Sequence, residues 1–103
     1  MEEMEMKAVQ IITFVGTARS CYLEAVKAAK SGDMEKAEAL MQEGQQNFVQ
    51  GHHAHAEILA KEAGGEAVPF SLLLMHAEDQ MMSAEGFRMI AEEFIEVYKK
   101  MDK

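Results

Sequence analysis

One histidine and one aspartate interrupt an otherwise mostly apolar stretch near residue 76. His76 and Asp79 stand three residues apart within residues 72–83, and Gln80 follows directly. In a helix, which turns about 100° per residue, these two side chains project about 60° apart and share one face. Free imidazole titrates close to neutral pH, so it can carry a proton or a phosphoryl group. The spacing therefore makes His76 the leading candidate for chemistry.

The helix face that carries this pair is otherwise apolar. Its other members are Leu72, Met75, Ile90, Phe94 and Val97. A buried carboxylate there costs several kcal/mol unless it is paired. Asp79 could accept a hydrogen bond from His76, or it could meet symmetry-related copies around a cation, for which oxygen ligands favour Mg²⁺. The ordinary alternatives are a core histidine satisfied by its neighbours and an aspartate partly exposed at a subunit seam.

Length and composition indicate one soluble, mainly helical domain. The 103 residues are 49% apolar and 27% charged, with a formal net charge of −8 and a single Pro. One chain of this size builds one modest core. The acidic balance argues against a nucleic-acid partner, since no basic stripe is available to neutralise phosphates. The negative charge is compatible with a basic protein partner, although it also keeps a protein soluble without any such partner.

The chain also indicates where the protein works. Cys21, the lone cysteine, cannot form an internal disulfide, and it favours a reducing cytoplasm and a packed, inert thiol. The N-terminal residues 1–7 have neither the basic nor the apolar part of a signal peptide. No apolar run reaches the roughly 18 residues of a membrane span. We therefore expect a cytoplasmic protein without membrane insertion.

Turn signals divide the sequence into three long helical segments. Gly32 and Asp33 fit a helix end and the next N-cap, and Gly64-Gly65 closes the second segment. Pro69 fits the first turn of the third segment. The prediction is an all-α, antiparallel up-down-up three-helix bundle. It forms a single domain over residues 1–103, with helices at about 2–31, 33–64 and 68–101.

Apolar spacing assigns a buried face to each helix. The first face comprises Ala8, Ile11, Val15, Ala18, Tyr22, Val26 and Ala29, and the second comprises Ala37, Met41, Gly44, Phe48, His52, His55 and Leu59. The third helix is apolar around most of its circumference, with a solvated stripe that contains Glu78. Two neighbouring helices cannot cover all of it, so we expect other subunits to do so under cyclic symmetry.

Three further histidines lie close together in the second segment. Only His52 and His55 share a face, and His53 projects elsewhere. No cysteine stands nearby to complete a zinc set, and the Glu-x-x-His signature of di-iron bundles is absent. A structural role for these histidines is favoured over a metal site.

Four segments resemble the lactose/cellobiose-type enzyme IIA family of the bacterial sugar phosphotransferase system. They are residues 16–20, residues 28–37, His52 with Ile58, Leu59 and Gly64, and residues 73–82. Residues 76–79 read His-Ala-Glu-Asp where the family has His-Ala-Gln-Asp. A second departure is His55, which stands where the family usually has a glutamine.

The resemblance implies a homotrimer of three-helix subunits. His76 would be phosphorylated by phospho-HPr and would pass the group to a cysteine of enzyme IIB. This relay would serve uptake of a lactose-, cellobiose- or chitobiose-type disaccharide. Asp79 of three subunits would share one Mg²⁺, while Gln80 and His55 would support the site. The alternatives are a non-catalytic helical oligomerisation module and a metal-binding protein that uses His52 and His55.

Overall fold

The computed structural model describes residues 2–101, which form three helices and no strand. The helices are α1 (Glu3–Lys30), α2 (Met34–Ala63) and α3 (Leu72–Met101). Residues 1, 102 and 103 of the predicted domain lie outside the described residues. No helix within this range is long and apolar enough to cross a membrane.

Ion pairs between the helices define their directions. The Nζ atom of Lys61 near the end of α2 lies 2.6 Å from Glu3 Oε1 at the start of α1. Lys99 Nζ near the end of α3 lies 3.7 Å from Glu38 Oε1 near the start of α2. α1 and α2 are therefore antiparallel, and so are α2 and α3. The short connections predict this arrangement. α1 packs along both other helices, whereas α2 and α3 contact each other far less.

Individual turn and capping residues explain where α1 ends and where α2 begins and ends. Gly32 has φ +89°, a left-handed conformation that glycine adopts without steric cost. Asp33 Oδ1 accepts a hydrogen bond from the Lys36 amide at 3.1 Å and caps α2. Gly64 is the C-cap of α2, and Gly65 turns the chain with φ +93°. These three predictions from turn signals are confirmed.

The third helix begins later than predicted. Pro69 was expected in the first turn, but α3 starts at Leu72 and residues 66–71 are not helical. Ser71 caps the helix because its Oγ accepts a hydrogen bond from the Leu74 amide at 3.0 Å. Proline has no side-chain acceptor, and it biases the preceding residue toward extended backbone. The capping serine therefore determines this boundary.

The buried face of α1 follows the predicted stripe, with Val26 only half-buried. The buried residues of α2 are Ala37, Gly44, Phe48, Gly51, Ala54 and Ile58. His52 and Leu59, which were predicted on this face, are instead exposed. The cause is close contact with α1: a Cβ added at Gly51 would lie 2.8 Å from Val15 Cγ1. Glycine and alanine therefore occupy four of the six buried positions of α2, beside Phe48 and Ile58.

Candidate functional site

His76 and Asp79 lie on a face of α3 that this chain does not cover. Both side chains are exposed, and neither makes a hydrogen bond within residues 2–101. The expectation that their face belongs to the core is wrong for a single chain. α3 uses another face for its own core, formed by Leu74, Ala77, Ala84, Ala91 and Ile95. Within one chain, Asp79 therefore remains solvated and does not bear the cost of burial.

The apolar neighbours of His76 on this face are exposed as well. Leu72 is 77% and Met75 48% exposed, and Ile90, Phe94 and Val97 are each about half exposed. These five residues, with His76 and Asp79, are called the α3 open face below. Periodicity correctly places all seven residues on one side of the helix. It does not show what covers them.

Gln80 is held from the neighbouring helix. Arg19, half-buried in α1, donates from Nη1 to Gln80 Oε1 at 2.5 Å. The two residues are 61 positions apart. The sequence offered Arg19 only as part of a family-like segment, and no spacing rule could join it to Gln80. Gln80 also follows His76 by four residues, so the two side chains are neighbours on the helix surface.

His55 lies beside Glu78 rather than beside His76. His55 Nε2 is 3.0 Å from Glu78 Oε2, and their side chains are 16% and 50% exposed. Glu78 is exposed, as predicted for the solvated stripe, and it projects about 160° away from His76 on the helix. Within one chain, therefore, His55 does not join His76. Both members of this contact stand where the family pattern has glutamine.

Metal-ligating side chains do not gather in one place within the described part of the chain. Among residues 2–101, no group of three histidine, cysteine, aspartate or glutamate side chains could hold an ion. His52 and His53 are exposed on α2, and the His52 ring centroid lies 6.4 Å from that of Phe48. Asp79 offers a solvated carboxylate, which fits Mg²⁺ chemistry as one ligand of several. A complete site would need carboxylates from more than one copy.

Cys21 is buried in α1, as predicted for a packed thiol. Burial raises the pKa of this thiol, and the nearby Glu43 carboxylate raises it further. A thiol with a raised pKa is a poor nucleophile because the thiolate is the reactive form. Cys21 therefore does not compete with the exposed imidazole of His76 for a chemical role.

Comparison with known proteins identifies relatives over the whole length. The family described as "PTS system, Lactose/Cellobiose specific IIA subunit" matches residues 6–99. The lichenan-specific phosphotransferase enzyme IIA component of Bacillus subtilis is 42% identical over 97% of this chain and 91% of the relative. The lactose-specific EIIA component of Staphylococcus aureus is 37% identical over 96% of each chain.

A solved structure agrees with these relatives. The crystal structure of the PTS cellobiose specific enzyme IIA from Bacillus anthracis superposes with a TM-score of 0.96 and is 37% identical. The match covers 99% of this chain and 94% of that one. The chain is therefore a member of the lactose/cellobiose-specific IIA family, a component of the sugar phosphotransferase system.

Proposed function

We propose that the protein is a phosphoryl carrier whose acceptor is His76. The observation that supports this proposal is an imidazole that is exposed and makes no hydrogen bond within residues 2–101. A histidine held in a packed core could not receive a group from another protein. Family membership supplies the reaction class, since the relatives are phosphotransferase components.

The proposed relay has two balanced steps. In the first, the P–N bond of phospho-HPr breaks as a neutral His76 nitrogen forms a new P–N bond, and HPr leaves with a free histidine. In the second, a cysteine thiolate of enzyme IIB attacks the phosphorus, and His76 is released unchanged. The carrier supplies position and charge stabilisation rather than further bonds. The relay would serve uptake of a lactose-, cellobiose- or chitobiose-type sugar.

The proposal includes a homotrimer joined through the α3 open face. Leu72, Ile90, Phe94 and Val97 would pack between subunits, and Asp79 of each subunit would meet the others. Clustered carboxylates need a counter-charge, so one Mg²⁺ held by Asp79 residues is part of the proposal. When bound, the ion would offset negative charge where the subunits meet.

Mass measurement at alkaline pH tests the relay, because phosphohistidine is labile in acid. The protein would be incubated with phosphoenolpyruvate, enzyme I and HPr. We expect a gain of one phosphoryl group per chain, with none in His76→Ala. His53→Ala is the matched control, since His53 is exposed on another helix. Continued labelling of His76→Ala would show that the acceptor is elsewhere.

The competing metal-binding function has less support within the described residues. His55 is engaged by Glu78, and His52 lies beside Phe48. A titration with Zn²⁺ separates the two functions. Tight stoichiometric binding that is lost in His52→Ala would favour the metal-binding protein over the carrier.

A further inference from the structure

Arg19 is a half-buried cation without a carboxylate partner among residues 2–101. Other cations in this acidic chain do reach carboxylates: Lys7 pairs with Glu57, and Arg88 pairs with Glu92. Instead, Arg19 donates to a neutral amide oxygen on α3. Arg19 is therefore engaged by an amide and not by an ion pair.

The contact also determines how the Gln80 amide is oriented. A guanidinium has only donors, so the atom that faces it must be the Gln80 oxygen. The Gln80 amide nitrogen, with two N–H donors, is then turned away from Arg19. A phosphoryl group has only acceptor oxygens, and it would be attached one helical turn away at His76. An amide whose oxygen is held by Arg19 keeps its two N–H donors available for such a group.

We propose that Arg19 is a positioning residue for the phosphorylated site. Arg19 fixes the Gln80 amide so that its N–H groups donate to phosphoryl oxygens on His76. This inference rests on the proposed carrier function and extends it by one residue. Phosphorylation adds roughly two negative charges. The donors stabilise that charge without rearrangement, because Arg19 has oriented them in advance.

The alternative role for Arg19 is a purely structural link between α1 and α3. Gln80→Leu separates the two roles, because it removes the N–H donors without adding a charge beside His76. A structural link predicts lower thermal stability and normal phosphorylation. A positioning role predicts normal stability with a phosphorylation equilibrium lowered by at least about tenfold, the effect of losing a charge-assisted hydrogen bond.

The decisive experiment is a double-mutant cycle on the phosphorylation equilibrium with phospho-HPr. Arg19→Met and Gln80→Leu should each lower the phosphorylation equilibrium constant about tenfold. The double variant should have the same equilibrium constant as Gln80→Leu alone. Arg88→Met is the matched control, since Arg88 is a half-buried arginine with its own glutamate. Helical circular dichroism and melting temperature should remain near wild type in all variants.

Three results would overturn the proposal. Arg19→Met could be phosphorylated as fully as Arg88→Met, or the double variant could show the product of the two single losses. Gln80→Leu could also keep the wild-type equilibrium. Wild-type protein that takes no phosphoryl group would instead contradict the carrier function itself, and the inference would fail with it.

Discussion

His55 and Glu78 are a pair of substituted residues that contact each other. Each stands where the family pattern has glutamine, and their side chains meet at 3.0 Å between α2 and α3. Two glutamines in these positions would share a neutral hydrogen bond. This chain places an imidazole and a carboxylate there instead, so the contact gains strength when the imidazole is protonated. The two departures noted in the sequence therefore lie in one contact.

Restoring the family residues singly should cost stability that the double replacement recovers. We expect His55→Gln and Glu78→Gln to show a coupling of about 0.2–1 kcal/mol in the free energy of unfolding, the range for partly exposed pairs. This coupling is measured from urea unfolding curves of the wild type, the two single variants and the double variant, at pH 6 and at both low and high salt. His53→Gln is the control, because His53 is exposed. A coupling of zero at low salt would contradict the pairing.

At the scale of elements, the most extensive helix contact is that of α1 with α2. Gly44 and Gly51 let the backbone of α2 approach Tyr22 and Val15, which are fully buried. A Cβ at Gly44 would lie 2.6 Å from Tyr22 Cε1, which leaves no space for a side chain. These two glycines lower the helix propensity of α2, but they permit this contact.

Gly51→Ala should therefore destabilise the protein despite its better helix propensity. The added methyl would overlap Val15, and overpacking costs about 1–3 kcal/mol, more than the roughly 1 kcal/mol gained by replacing glycine. Gly16→Ala is the control, since a Cβ there meets nothing within 4 Å. Thermal unfolding should show a lower midpoint for Gly51→Ala and an equal or higher midpoint for Gly16→Ala. A stabilised Gly51→Ala would contradict the contact.

Sequence patterns predict the elements better than their contacts. Turn residues located the ends of α1 and α2, and periodicity identified the α3 open face. The start of α3 was predicted too early because Pro69 was a weaker signal than the capping Ser71. The face of α2 was wrong around His52 because residue size, which hydropathy ignores, decides a close contact. Contacts between distant residues, such as Arg19 with Gln80, leave no trace in spacing.

At the scale of the whole molecule, the chain is elongated and exposes excess surface. Its extents are 55 × 22 × 19 Å, and its radius of gyration is 16.1 Å, against about 13 Å for a compact chain of this length. Its accessible surface is 6693 Å², against about 5,800 Å² for a compact monomer of this mass. The α3 open face contributes apolar residues to this excess. An assembly that covers this face would bury part of the excess surface.

Two substitutions on the α3 open face should have opposite effects on assembly. Phe94→Glu places a charge among half-exposed apolar residues and should dissociate the expected trimer. Asp79→Leu removes the repelling carboxylates and should leave a trimer that persists in EDTA. Sedimentation equilibrium measures both. Val49→Glu, at an equally exposed apolar residue of α2, is the control. A monomeric wild type, or an intact Phe94→Glu trimer, would contradict this prediction.

The central position of α1 has a consequence for synthesis on the ribosome. The residues through which α1 and α2 meet have all emerged once Ala63 has left the exit tunnel, since Gly44 and Gly51 lie against Tyr22 and Val15. The second flank of α1 has no cover until α3 follows, and through that interval its apolar side chains face the cellular milieu. We expect stalled nascent chains of which only the residues up to about Gly65 have emerged to bind a general chaperone, and to release it as α3 emerges.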